Sequence, residues 1–111
     1  MSNSRIEAKQ EFVRQLVEKG GFSSPECAHL SQIQAVTPSS EGCEDCLKTG
    51  DTWFHLRLCL ICGHVGCCDS SKNKHATKHY QETGHPLVLS YEPREEWIWC
   101  FADEAVFMHP M

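Results

Sequence analysis

Two C-x-x-C pairs, Cys43/Cys46 and Cys59/Cys62, follow one another closely in the chain. A two-residue spacer lets both thiolates reach a single tetrahedral ion at about 2.3 Å, which is the commonest half-site for structural zinc. Each pair needs two more ligands, and Cys67, Cys68, His75, His79 and His85 follow directly. His75 and His79 are four apart, so a helix would present both on one face. Spacing alone leaves two partitions open: the two histidines share one ion, or each serves a different one. A separate set is Cys27 and His29 early in the chain, with Cys100 and Asp103 late. These could close a third site between a loop and the last strand.

Other uses of these residues fit less well. The chain has 8 Cys and 7 His in 111 residues. An even cysteine count allows disulfides, but the polar start Met1–Gln10 shows no apolar leader and histidines are interleaved throughout. The expected setting is therefore cytosolic and reducing, where tightly spaced cysteines read as metal ligands. A redox C-x-x-C would need a βαβ context that neither pair has. The many His ligands disfavour an iron–sulfur cluster. Catalytic zinc keeps one position open, whereas the ligands here suffice to close the sites. Neither a Ser/His/Asp arrangement nor a phosphate loop is present, so the expectation is a protein that is not an enzyme. Cys68 reads as a spare buried thiol, and His55, His64 and His109 as ordinary histidines.

The formal net charge is −5. Proteins that grip a phosphate backbone are normally basic, so nucleic acid is disfavoured as a partner. Lys72, Lys74 and Lys78 nevertheless give one segment a local positive face, and a nucleic-acid-associated zinc module is the alternative function. No apolar run is long enough to span a membrane.

The positioning elements are short. Ser4 to Lys19 reads as an amphipathic helix: Ser4 and Glu7 form a capping box, Ile6, Phe12, Val13, Leu16 and Val17 make an apolar stripe, and Gly20-Gly21 stops it. It is an arm, residues 1–22, that packs on the domain of residues 23–111, serves as a partner helix or as a dimerisation helix in a purely structural protein, or stays disordered. Residues 23–42 read as loop. Trp53–Leu60, Leu87–Tyr91 and Glu96–Ala102 read as strands, and Ser71–Thr83 as a helix closed by Gly84 and Pro86. The class is α+β, a short antiparallel sheet with a helix carrying His75 and His79. Elements this short bury too little apolar surface to stand alone, so metal staples are expected.

In order, Cys43-x-x-Cys46, Cys59-x-x-Cys62-Gly63, Val65-Gly66-Cys67, His75-x-x-x-His79 and Thr83-Gly84-His85-Pro86-Leu87 resemble the UBP-type zinc finger. This is the finger of ubiquitin-specific proteases, also found in a cytoplasmic histone deacetylase, and the likeness is greatest to compact stand-alone bacterial members. The resemblance runs from about Cys27 to Ala105. It implies an interleaved partition: Cys43, Cys46, Cys67 and His75 on one zinc, and Cys59, Cys62, His79 and His85 on a second. Members with a third zinc add a Cys-x-His near the start and a Cys-x-x-Cys in the last strand. Cys27, His29 and Cys100 match these positions, while Asp103 stands where the final cysteine would be; Asp ligates zinc at about 2.0–2.2 Å.

The resemblance also implies a protein-binding module that captures the Gly-Gly-carboxylate tail of ubiquitin between an aromatic wall and an arginine. Trp99 and Phe101 match the wall. The arginine position is Asp69, and a pocket tryptophan position is Arg57. Asp69 facing a carboxylate is like-charge repulsion, costing on the order of a few kcal/mol. Arg57 either pairs with Asp69 and fills the pocket, or reaches the pocket, where it alters its preference or compensates for Asp69 so that tail binding is retained.

Overall fold

The computed structural model describes residues 5–18, 28–92 and 95–108. Ser4, Gly20-Gly21, Cys27, His109 and the 22/23 arm boundary lie outside them. The first element, α1 (Arg5–Glu18), is amphipathic. Val13 and Leu16 are buried, with Ile6 and Phe12 packed against the same cluster. On its outer face Arg14 pairs with Glu11 and Glu18. A 3-10 turn, Ala28–Gln32, follows and contributes Leu30 to the core.

Five strands form one antiparallel sheet: β1 (Leu56–Cys59), β2 (Val65–Cys67), β3 (Leu87–Ser90), β4 (Trp97–Cys100) and β5 (Ala105–Met108). Their spatial order is β2-β1-β3-β4-β5. The other helices are α2 (Glu44–Thr49) and α3 (His75–Thr83).

Strand register sorts the side chains onto two faces, because alternate residues point to opposite sides. Cys59 pairs with Val88, Val88 with Trp99, and Trp99 with Val106, so these four form a row on one face. Arg57, opposite Ser90, lies on the same side. The other face carries Leu56, Leu58, Leu87, Leu89 and Ile98, all fully buried and clustered with Val13 and Leu16 of α1. Helix α3 packs against β1 and β2.

Several elements differ from their sequence expectations. The strand expected from Trp53 starts only at Leu56, because the preceding backbone is bonded to a loop. Phe54 N–H donates to Ser71 Oγ at 2.8 Å, and Cys68 N–H donates to the His55 carbonyl at 2.9 Å. The helix expected from Ser71 starts at His75, because Lys74 takes a left-handed conformation (φ 51°) that a helix interior does not allow. Leu87–Tyr91 and Glu96–Ala102 shorten to β3 and β4. The helix α2 and the strands β2 and β5 were not expected; three- to six-residue elements carry too little periodicity to stand out.

Candidate metal centres and binding cleft

The structure brings the ligand candidates together in interleaved groups. In the first, Cys43, Cys46, Cys67 and His75 have their donor atoms mutually within 4.8 Å. Local structure explains the convergence. Cys43 caps α2, its sulfur accepting the Cys46 N–H at 3.4 Å, so both thiols of the pair turn to one point. Cys67 ends β2, and α3 begins with His75, whose Nδ1 lies 3.2, 3.4 and 3.6 Å from the sulfurs of Cys43, Cys46 and Cys67.

Gly66 makes that approach fit. A Cβ there would stand 2.7 Å from the backbone nitrogen of Ala76, so only glycine lets α3 lie this close to β2. The left-handed Lys74 supplies the turn that brings His75 round. Two outer contacts hold the group: Asn73 Nδ2 donates to Cys46 Sγ at 3.6 Å, and His75 N–H donates to Cys67 Sγ at 3.3 Å.

The second group is Cys59, Cys62, His79 and His85. Cys62 Sγ is 3.3 Å from His79 Nε2, and Cys59 Sγ is 3.7 Å from His85 Nδ1. Here the Cys-x-x-Cys pair sits on a tight turn in which Gly63 N–H donates to the Cys59 carbonyl at 3.0 Å. Gly63 has φ +88°, and a Cβ there would lie 2.4 Å from the Thr37 carbonyl oxygen. On the far side, Gly84 ends α3 in a left-handed cap and the Thr83 hydroxyl accepts the His85 N–H at 3.2 Å, which turns His85 back toward Cys59.

A tetrahedral ion with sulfur at about 2.3 Å and nitrogen at about 2.0–2.1 Å places such donors roughly 3.5–3.8 Å apart, and the sulfur–nitrogen separations here run from 3.2 Å to 3.7 Å, a few tenths of an ångström tighter at the short end. Protonation energetics point the same way. Burial pushes the Cys43 thiol up to about 12, with Cys46 and Cys67 adding to the rise. Burial likewise pushes Cys59 up to about 11, and it depresses His79 to about 4 with help from His64 and His85. Buried soft donors crowded in this way are satisfied by a cation. The two Cys/His clusters fit two zinc ions.

A third group contains His29, Cys100 and Asp103. His29 Nδ1 is 3.0 Å from Asp103 Oδ2 and 3.6 Å from Cys100 Sγ. Cys27, the fourth candidate, lies outside the described residues.

Arg57, Asp69, Trp99 and Phe101 all line one cleft of about 410 Å³, together with Trp97 and Thr77 among others. Its floor is the aromatic row of β4, and α3 forms one side. Phe101 stacks on Tyr80 with ring centroids 4.9 Å apart and meets Trp99 edge-on at 6.3 Å. Of the two sequence alternatives for Arg57, the pairing with Asp69 is absent among the described residues. Arg57 instead lies across the small Ser90 position, its guanidinium 4.6 Å from the Trp97 ring centroid, and donates to the Leu56 carbonyl at 3.0 Å. Asp69 accepts the Thr77 hydroxyl.

Three further residues take part. Trp97 belongs to the cleft because it is two residues before Trp99 on the same strand face, a signal the alternation already carried. His64 belongs to no donor group among the described residues, but its ring stacks on His79 at 4.3 Å, and its Nε2 lies 3.0 Å from Asp45 Oδ2. Cys68 is buried as expected and faces the cleft. Burial works against ionisation, yet hydrogen bonds from Ser71 and from backbone, with Arg57 nearby, hold its thiol down at about 7. No sequence spacing signals the contacts of His64 and Cys68. Among the described residues, no helix is long and apolar enough to cross a membrane.

Comparison with known proteins gives the same picture. The family profile described as "Zn-finger in ubiquitin-hydrolases and other protein" matches residues 43–111. Ubiquitin carboxyl-terminal hydrolase 44 of Ailuropoda melanoleuca is 33% identical over 81 residues, covering 68% of this chain and 10% of that protein. BRAP2 RING ZnF UBP domain-containing protein 2 of Arabidopsis thaliana is 35% identical over 75 residues, covering 68% of this chain and 14% of that protein. This chain therefore spans only a small part of those relatives. The solution NMR structure of protein RPA1320 from Rhodopseudomonas palustris superposes with a TM-score of 0.71 at 53% identity, covering 78% of this chain and 84% of that one. With its ligand string, its two Cys/His clusters and this match over more than half its length, the chain belongs to the UBP-type zinc-finger family.

Proposed function

We propose that the chain is a non-catalytic, zinc-stapled module that binds the end of a protein or peptide chain in the cleft lined by Arg57, Trp97, Trp99 and Phe101. In this reading Cys43, Cys46, Cys67 and His75 hold one zinc, and Cys59, Cys62, His79 and His85 hold a second. His29, Cys100 and Asp103, with Cys27, hold a third. Bound zinc supplies folding free energy by cross-linking loop, sheet and helix. Each of the first two sets has four protein donors, which leaves no open position for substrate.

The observation that carries the reading is the state of Arg57. It is half-buried in an aromatic cleft, stacked on Trp97 rather than neutralised by Asp69. One of its five N–H donors is taken by the Leu56 carbonyl among the described residues. An arginine fork fixed by stacking and left with open donors is suited to a carboxylate, and charge-assisted bonds of this kind are the strong ones. The name of the hydrolase relative associates such fingers with ubiquitin chemistry, and a free C-terminal carboxylate is the chemistry this cleft can grip.

The test is an NMR titration of the zinc-loaded protein with a short peptide bearing a free C-terminal carboxylate, beside the same peptide amidated. Shifts at Arg57, Trp97, Trp99 and Phe101 with the free acid, lost on amidation, are expected. No shift at these residues with either peptide would overturn the reading.

A further inference from the structure

The cleft holds an arginine and an aspartate that do not neutralise each other, with the Cys68 thiol beside them. Arg57 and Asp69 both line it, yet neither belongs to any ion pair among the described residues. They are also placed differently. Arg57 is half-buried on the floor, over Trp97, whereas Asp69 is exposed at the rim. Trp99 and Phe101 line the same cleft. A ligand with a carboxylate alone satisfies Arg57 but brings like charge toward Asp69. A ligand with a cation alone meets the reverse conflict. Only a ligand bearing both charges satisfies the cleft.

Building on the reading of the cleft as a chain-end site, we infer that its preferred occupant is a peptide whose C-terminal residue is lysine or arginine. The α-carboxylate goes to the deeper Arg57, and the basic side chain stays near solvent at Asp69, its aliphatic stem lying on the aromatic floor. The Thr77 hydroxyl donates to Asp69, which fixes the carboxylate while leaving acceptor sites for an incoming N–H. The overall charge of −5 also attracts a basic ligand before contact. The opposite arrangement, an N-terminal amine at Asp69 with an acidic side chain at Arg57, would put a flexible side chain in the deep position. Asp69 is thus the specificity-determining residue, and Arg57 the anchor.

The test varies the ligand and leaves the protein intact. Fluorescein-labelled pentapeptides identical but for their last residue (Lys, Leu or Glu, each as free acid, and Lys also as amide) are titrated into the full zinc-loaded chain by anisotropy. The Lys acid should bind about threefold to fivefold more tightly than the Leu acid, the scale of an exposed ion pair. It should bind at least about tenfold more tightly than its amide, which loses the Arg57 contact. The Lys preference should shrink in high salt and vanish in Asp69→Asn, whose zinc content, measured alongside, stays unchanged. Equal binding of Lys, Leu and Glu acids would overturn this inference while leaving the chain-end reading in place. Absence of binding by every peptide would overturn both. Binding of the Lys amide as tightly as the acid would overturn the orientation.

Discussion

Helices α1 and α3 are held against the sheet by different chemistry. Helix α1 buries Val13 and Leu16 and adds Ile6 and Phe12, so apolar burial docks it onto the leucine-rich face. Helix α3 buries only Ala76. The rest of its sequence, with Lys78, Gln81 and Glu82, has no apolar stripe to pay for docking. Besides the Tyr80 ring stacked on Phe101, what it offers is His75 at its start and His79 one turn on, each in a different donor cluster. One face of the sheet is a small hydrophobic core, and the other is a helix tethered at two metal-binding points. Because α3 forms a side of the cleft, the tether also shapes the cleft.

The largest effect should come from cutting the tether. Cys46→Ser removes a donor from the buried cluster, and since structural zinc contributes on the order of 10 kcal/mol of folding free energy, the chain should lose its folded state at 25 °C. Circular dichroism and zinc content would show it; a folded variant with full zinc content would break the comparison. Next, Leu16→Ala should cost about 2–4 kcal/mol in denaturant titration, the usual cost of a core truncation. It should do so with zinc content unchanged, because α1 contributes no residue to the donor groups among the described residues.

Gly66→Ala is smaller but spans both halves of the argument. The added methyl meets the α3 backbone at 2.7 Å, so the helix must shift, at about 1–3 kcal/mol. Weaker zinc retention under chelator challenge should accompany that loss.

Acid sharpens the same contrast. The unfolded chain protonates His79 near 6.5, while burial beside His64 and His85 holds the folded value at about 4. The unfolded state therefore binds more protons between these values, and stability should fall as pH drops from 6.5 to 4. Competition between protons and metal for the thiolates acts with the same sign. Thermal melts across this interval should show α3 signals lost before those of α1. The smallest effect is expected for Lys74→Gly, which relieves a left-handed residue at the start of α3 and should stabilise by about 0.5 kcal/mol.

The sequence was most legible where chemistry demands fixed spacing. The two C-x-x-C pairs and the histidines after them read as metal donors, and the structure groups them as the resemblance implies. The amphipathic stripe of α1 was legible for a different reason, since a helical period repeated over several turns is hard to mistake. Strands β2 and β5 are too short to show a pattern, and their register comes from tertiary pairing. The start of α3 was hidden because a single left-handed backbone, at Lys74, decides it. In the cleft, alternation already placed Trp97 with Trp99. The orientation of Arg57 depends on the small Ser90 beside it on the neighbouring strand, which no linear motif encodes.

In the proposed reading, metal holds α3 where it forms the cleft. The most direct measurement is stepwise chelation of the full chain, with zinc content, amide spectra and anisotropy of a bound free-acid peptide followed on one sample. At least two zinc ions per chain are expected at the start. Loss of dispersed α3 signals should then follow zinc release, with peptide binding lost in step. A zinc-free chain that keeps dispersed α3 signals and still binds the peptide would contradict this reading.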